Sequence, residues 1–327
     1  MNMVANTDIL LRDQLLNRRQ KLESVASTIH ETAEIKRLLR EVDQALGRMA
    51  NGVYGLCAVC RDPIEPARLM ANPLAQFCLD HLTPDERQAL EEDLEMASRI
   101  QRELLPRPDV HFDGWDVHYH YEPAGMVSGD YCDLVMDGGG NLYFMFGDVM
   151  GKGVAASMLM VHLHAMFRSL ISVGLSLNQL VERANRVFCE STLSTHYATL
   201  VCGKASRTGE TEIVNAGHLP PLVIGNGRIA PVNATGIPLG LFCSGEFSTD
   251  HVRLGTGDAL LLYTDGLSEA EDLSGSEYGR ERLLSVVGNH RKPSAESFVA
   301  ACMNDVAAFR LGAPKKDDLT IMALRRV

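Results

Sequence analysis

Basic charge is scarce in this chain of 327 residues, where 31 lysines and arginines face 42 aspartates and glutamates for a formal net charge of -11. That balance repels a phosphate-coated polymer and argues against a general nucleic-acid binder, while leaving room for a small local basic patch. Apolar length free of charge is missing too. The longest apolar stretch, Ala155 to Leu177, contains His162, His164 and Arg168, which reads as a buried helix and argues against a membrane span. No signal-peptide pattern opens the sequence. The expectation is a cytoplasmic protein, a setting in which eight cysteines do not make a disulfide framework. With 46% hydrophobic residues, the chain can still bury a sizeable core and has the length for about two domains.

Proline is absent from the first fifty residues, whose first glycine is Gly47. Leu11, Leu15, Leu22, Val25 and Ile29 keep one heptad-like phase, and Ile35, Leu39, Val42, Leu46 and Met49 keep another. The break between Ile29 and Ile35 fits two structures. A turn near Thr28 to Thr32 gives a helical hairpin with arms of roughly 27 Å, from about 18 residues rising about 1.5 Å each; a single kinked helix also satisfies the pattern. Residues 51–82 then present Cys57 and Cys60, seventeen intervening residues, and Cys78 with His81. This is the spacing of one structural zinc site, where the metal supplies folding energy that so short a segment cannot bury. Cys132, Cys189, Cys202, Cys243 and Cys302 stand singly among apolar neighbours and read as small buried hydrophobes.

Together with Ala45-Leu46-Gly47-Arg48-Met49, Gly52-Val53-Tyr54-Gly55 and Arg68-Leu69-Met70-Ala71-Asn72-Pro73, these knuckles resemble the DksA/TraR type of zinc finger over about residues 35 to 82. That family commonly has four cysteines; here His81 holds the last position, leaving the site one charge less negative. In DksA-like proteins a coiled-coil tip with an Asp-x-x-Asp-x-Ala motif reaches RNA polymerase. The tip Ser27-Thr28-Ile29-His30-Glu31-Thr32-Ala33-Glu34 lacks the motif, which argues against polymerase binding.

Thr83-Pro84-Asp85-Glu86 opens a further helix, with a capping hydroxyl, a proline in the first turn and acids at the positive end of the dipole. Leu90, Leu94, Ala97 and Leu104 line one stripe with Gln101 in the gap, and Pro106 and Pro108 stop the helix. No glycine-rich break interrupts residues 83–107. Their narrow stripe fits either an amphipathic helix packed on its own domain or pairing with a second copy, and the expectation is the second, a homodimer.

Four aspartates in turn-like settings carry the chemistry: Asp130 in Ser128-Gly129-Asp130-Tyr131, Asp148 in Gly147-Asp148-Val149-Met150-Gly151-Lys152-Gly153, Asp265 in Thr264-Asp265-Gly266, and Asp317 in Lys316-Asp317-Asp318-Leu319-Thr320. Apolar runs lead into Asp148 and Asp265 and place them at strand ends. Gathered carboxylates repel one another, and hard divalent cations relieve that repulsion. Lys152 sits in a glycine turn without the P-loop pattern; His218, between a glycine and two prolines, reads as structural; His162 and His164 face different sides of a helix; Asp133 is a candidate neighbour of the acids. The runs 117–121, 142–148, 198–203, 212–216, 222–224, 259–263 and 319–324 read as strands, and 154–172, 177–190 and 295–309 as helices. That pattern alone supports α/β or α+β.

With Asn215-Ala216-Gly217-His218-Leu219-Pro220-Pro221, Gly236-Ile237-Pro238-Leu239-Gly240 and Tyr278-Gly279-Arg280-Glu281-Arg282-Leu283, the aspartate motifs resemble the PPM-type metal-dependent serine/threonine phosphatases, in the bacterial branch of SpoIIE and RsbU, over about residues 108–327. Ala97 to Pro106 resembles the linker helix preceding such domains. The resemblance implies an α+β fold, an α/β/β/α layered sandwich, after a helical segment (1–50), a zinc finger (51–82) and a linker helix (83–107). It implies two Mn²⁺ or Mg²⁺ ions held by Asp130, Asp148, Asp265, Asp317 and the Val149 carbonyl, with Asp148 bridging; whether Asp317 or its neighbour Asp318 is the ligand stays open. It further implies a phosphoserine substrate on a STAS-domain anti-anti-sigma factor in partner switching. The alternative is a zinc-finger transcription regulator whose phosphatase-like domain is a scaffold.

Overall fold

The computed structural model describes residues 11–12, 14–23, 33–65, 68–69, 72–82, 84–107, 112–193, 195–225, 227–288 and 294–327. By internal contacts it forms two compact units, Met1–Asp93 and Leu94–Val327. In the first, helical residues 14–23 lie against helix α1 (Ala33–Ala50). Leu15, Val42 and Ala45 form their shared core, bordered by Leu22, Leu46 and Met49, and Arg19 pairs with Asp43 at 2.9 Å. One continuous helix would hold residues 15 and 42 about 40 Å apart, so two helical segments face each other. The turn expected at Thr28 to Thr32 lies outside the described residues. Leu11 joins Cys57, Ile64, Leu69, Ala75 and Cys78 in a second small core. Helix α2 (Pro84–Leu104) contains the boundary between the units.

Among the described residues the second unit has ten strands: β1 (Trp115–Glu122), β2 (Asp130–Met136), β3 (Leu142–Val149), β4 (Ala198–Ala205), β5 (Glu210–Ala216), β6 (Leu222–Gly225), β7 (Arg228–Pro231), β8 (Asp250–Arg253), β9 (Ala259–Tyr263) and β10 (Leu319–Arg326). They form two sheets, β1-β10-β9-β6-β7 and β2-β3-β4-β5-β8, with every neighbouring pair antiparallel. Alternation along each strand builds the layers. On β3, Leu142, Phe144 and Phe146 fill the space between the sheets, while Tyr143 and Met145 meet helices α3 (Val154–Ile171) and α4 (Leu177–Ser191). On β9, Leu260 and Leu262 point between the sheets, and Ala259, Leu261 and Tyr263 meet the layer of α5 (Asp265–Ser268), α6 (Arg280–Gly288) and α7 (Ala295–Arg310). Each fully buried Phe or Leu contributes about 1.5–3 kcal/mol. The result is an α+β sandwich of helix, sheet, sheet and helix layers.

Helix α3 is, among the described residues, the one helix long and apolar enough to cross a membrane by length and composition. Met160, Leu163 and Phe167 instead bury its inner face in the core shared with β2 and β3. Cysteine usage needs a correction. Cys132, Cys202 and Cys302 are buried, but Cys189 of α4 is disulfide-bonded to Cys243, with Cα atoms 5.5 Å apart, and Cys243 is exposed. Asn185 makes the juxtaposition: its side-chain oxygen accepts from Gly240 N–H at 2.9 Å and its amide donates to the Phe242 carbonyl at 2.8 Å, drawing that loop onto α4.

Candidate metal centres

Tight backbone turns shape the finger. Arg61 N–H returns to the Cys57 carbonyl at 3.0 Å and His81 N–H to the Cys78 carbonyl at 3.0 Å. One donor atom from each of Cys57, Cys60, Cys78 and His81 lies within 4.8 Å of the other three. Two thiolates bound to one zinc at about 2.3 Å stand about 3.8 Å apart along a tetrahedral edge. Cys60 Sγ and Cys78 Sγ are 3.8 Å apart, and Cys78 Sγ lies 3.2 Å from His81 Nδ1. Three soft sulfurs and one imidazole at these spacings fit zinc.

The strands carry the four aspartates to one end of the sandwich. Asp130 opens β2 directly opposite Asp148 on β3, so it begins a strand where the sequence reading expected a turn. Asp265 begins α5 just after β9, and Asp317 precedes β10. Thr264 N–H donates to the Thr320 carbonyl at 3.0 Å, binding those two ends together. Gly266 permits the approach, since a Cβ there would lie 1.9 Å from the Asp318 carbonyl oxygen. Val149 closes β3, with its N–H on the Gly129 carbonyl at 3.3 Å.

Each carboxylate has a distinct environment. Asp130 is buried, and its Oδ2 accepts from the hydroxyls of Thr264 (3.1 Å) and Thr320 (2.5 Å). Asp318 spends both oxygens on the loop between β1 and β2, accepting from Ala124 N–H at 2.7 Å and Gly129 N–H at 2.9 Å. Asp317, half-buried, has Oδ2 2.8 Å from Lys152 Nζ. Its Oδ1 accepts from Asp318 N–H at 2.9 Å, so both oxygens of each neighbour are engaged, and the two differ in that Asp317 is the less buried and is held by a flexible ammonium. Burial, with the charges of Asp265, Asp317 and Asp318, pushes Asp148 up to about 7. Burial and Asp148 drive Asp130 well above the carboxylate range, and burial with Asp317 raises Asp265. Hard oxygens under mutual repulsion in a half-buried setting suit Mn²⁺ or Mg²⁺.

Other candidates stay outside this cluster. Asp133 turns to the helix side of β2, where Arg168 takes both its oxygens at 2.8 and 2.7 Å. His218 is buried with both nitrogens engaged: Nε2 donates to the Tyr263 carbonyl at 3.2 Å and Nδ1 accepts from the Thr199 hydroxyl at 2.8 Å. Burial pulls it down to about 4, leaving a neutral structural histidine. His162 contacts the Ser191 hydroxyl at 3.3 Å, whereas His164 lies beside Asp133.

Sequence reasoning passed over Thr264, Thr320 and Gln101. The threonines lie inside the quoted aspartate motifs, which was signal enough. Gln101 is the buried residue of α2: its amide donates to the Ser128 carbonyl at 2.7 Å and its oxygen accepts from Ser128 N–H at 3.0 Å, two residues before Asp130. A lone amide within an apolar stripe was its signal.

The family model for Stage II sporulation protein E (SpoIIE) matches residues 138–327, and that for the prokaryotic dksA/traR C4-type zinc finger matches residues 52–80. Phosphoserine phosphatase RsbU of Bacillus subtilis (strain 168) is 24% identical over 246 residues, covering 73% of this chain and 72% of RsbU. Phosphoserine phosphatase RsbP of the same strain is 28% identical over 183 residues, covering 54% of this chain and 45% of RsbP. Protein IcfG of Synechocystis is 26% identical over 267 residues, covering 72% of this chain. The chain thus spans less than half the length of IcfG and RsbP, at 41% and 45%. Among solved structures, the SiaA-PP2C domain of Pseudomonas aeruginosa superposes with a TM-score of 0.64 at 20% identity, covering 74% of this chain and 98% of that one. The RsbU and RsbW domains of a Mycobacterium tuberculosis protein give 0.58 at 28% identity, covering 66% and 62%.

Proposed function

This chain belongs to the SpoIIE family, and on that premise we propose that it is a metal-dependent phosphatase acting on phosphoserine or phosphothreonine in proteins. The observation that carries the reading is the convergence of Asp148, Asp265 and Asp317 above the buried Asp130, where the strand ends of both sheets meet. With the Val149 carbonyl, these residues would hold two Mn²⁺ or Mg²⁺ ions. Such ions, when bound, polarise a phosphoryl group and acidify water at neutral pH. The chain itself supplies the positioning. Thr264 and Thr320 fix the Asp130 carboxylate, and Asp318 fixes the loop from Ala124 to Gly129 at the edge of the site. A scaffold in a zinc-finger transcription regulator has no use for carboxylates held against their own repulsion.

The test uses purified protein, Mn²⁺ or Mg²⁺ and a phosphoserine protein substrate. Asp148→Asn or Asp265→Asn is expected to lower the rate at least about 100-fold, the loss of several kcal/mol that a metal supplies. Undiminished activity in excess chelator would overturn the reading.

The substrate we assign is phosphoserine on a small STAS-domain anti-anti-sigma factor in a partner-switching pathway of the cytoplasm. Similarity to RsbU and RsbP, both named phosphoserine phosphatases, supports it; phosphoproteomes with and without the enzyme test it. The zinc finger, residues 51–82, and the linker helix, residues 83–107, are assigned as the control region of the phosphatase domain, residues 108–327. Homodimerisation through α2 belongs to the same reading. Leu94, Ala97 and Leu104 are half-buried, so Met96 and Ile100, 55% and 54% exposed, are the better seam. Sedimentation of Ile100→Glu, expected to be monomeric against a dimeric parent, checks this.

A further inference from the structure

Lys152 stands in the turn that takes the chain from Asp148 and Val149 into α3. Its neighbours Gly151 and Gly153 both adopt positive φ, 97° and 73°, a backbone that returns the lysine toward the acids. Nζ lies 2.8 Å from Asp317 Oδ2 and donates to the Lys316 carbonyl at 2.7 Å. Its charge eases the ionisation of Asp148 and Asp265. The side chain is 57% exposed and lies on the wall of a recess of about 400 Å³ with Leu94, Met126, Val127 and Val154, reaching Asp318. Lys315 and Lys316, on the same wall, pair instead with Glu122 and Glu271. Lys152 is thus the lysine of this wall whose ammonium meets the acidic cluster.

One carboxylate cannot give its full attraction to a lysine and a divalent cation at once. A cation that engages Asp317 loosens the ion pair and leaves the ammonium, on its flexible stem with three donors, beside the place where a phosphate dianion must arrive. We propose that Lys152 contacts substrate, holding Asp317 in the resting site and a non-bridging phosphoryl oxygen in the loaded one. This rests on the phosphatase reading above. The same side chain then opposes metal binding and favours phosphate binding. A lysine that merely pins the 150–153 turn to the 316–317 loop would support both.

The experiment compares full-length parent, Lys152→Met and Lys152→Arg by Mn²⁺ titration without substrate, read by electron paramagnetic resonance. It adds KM for a phosphoserine peptide and inhibition by inorganic phosphate at saturating Mn²⁺. Lys152→Met is expected to bind Mn²⁺ several-fold more tightly while its KM and phosphate inhibition constant rise about tenfold, the size of one charge-assisted hydrogen bond. Lys152→Arg is expected to restore most of the phosphate affinity. If Mn²⁺ and phosphate affinities of Lys152→Met fall together, the lysine is only a pin and the proposal is overturned. Tighter Mn²⁺ with unchanged phosphate affinity overturns substrate contact as well. Should Lys152→Met not fold, Lys152→Gln answers the same two questions. A parent that hydrolyses no phosphopeptide with Mn²⁺ defeats the phosphatase reading itself, whereas an active parent matched by an unaltered Lys152→Met defeats only the role of Lys152.

Discussion

The finger and the acidic cluster solve opposite problems. The finger's donors are soft and closely gathered, and the apolar core beside them consists of little more than Leu11, Ile64, Leu69 and Ala75 with two of the cysteines. Without a bound metal, so small a core cannot offset chain entropy. The aspartates are hard donors on a sandwich already filled by Phe144, Phe146, Leu260 and Leu262 between its sheets. There the fold is stable enough to hold Asp148 and Asp130 in positions that burial and repulsion make unfavourable. In one region a bound metal would make the fold; in the other the fold would make the metal site.

The largest expected effect tests that contrast directly. Cys57→Ser or Cys78→Ser should abolish the finger's protection in hydrogen exchange while residues 112–327 keep theirs, because the second unit has its own cores. Protection lost in both units would break the comparison. Next comes metal exchange. Dialysis against a weak chelator should strip the aspartate site and leave one zinc per chain, since thiolates hold zinc far more tightly than carboxylates hold Mg²⁺. Elemental analysis finding no zinc after expression in ample zinc would remove the premise.

The second unit has a covalent tie of its own, and the contrast sharpens there. Cys189 and Cys243 are 54 residues apart in sequence. Closing a loop of that length stabilises by up to about 4 kcal/mol, or roughly 10 °C of melting temperature for a unit of this size. Reduction, or Cys243→Ser, should lower the melting point by up to that amount and leave a folded sandwich, because Asn185 still binds the loop. Complete unfolding on reduction would make this unit as dependent on its link as the finger is on zinc.

How far all this was legible in the sequence follows from how local each cause is. Strand and helix runs such as 259–263 and 154–172 declared themselves through apolar content, and their ends fall within about two residues of those observed. Strand β2 was missed because Ser128-Gly129-Asp130 reads as a turn; its strand character comes from pairing with β3. Edge strands β7 and β8 are four residues each, with little buried surface. Within the site, residue types and motif order pointed to four acids that the fold brings to one end of the sandwich. That Asp318 is tied to the Ala124 and Gly129 amides had no local signal, because those amides lie nearly two hundred residues away. The disulfide needed Asn185 to bring the loop to α4, a contact with no local signature.

The smallest effect concerns a histidine that the fold keeps uncharged. In the unfolded chain an imidazole gains a proton below its ordinary value of about 6.5, while His218 in the folded sandwich stays neutral down to about 4. Between those limits the unfolded state binds more protons, so His218 subtracts stability as pH falls through 6.5. Its full contribution is present above that value, and the loss levels off below about pH 4 at a total of about 3 kcal/mol. The raised carboxylates act in the opposite sense over part of this window, so the informative quantity is the difference between parent and His218→Gln. Trp115, the single tryptophan, is buried in the second unit, and its fluorescence in urea reports that unit without the finger. His218→Gln is expected to be less stable than the parent at pH 8, where it has lost a buried hydrogen bond, and to close most of that gap by pH 5. A gap that stays constant from pH 8 to pH 5 would mean that His218 carries its proton in the folded state, contrary to the burial that holds it neutral.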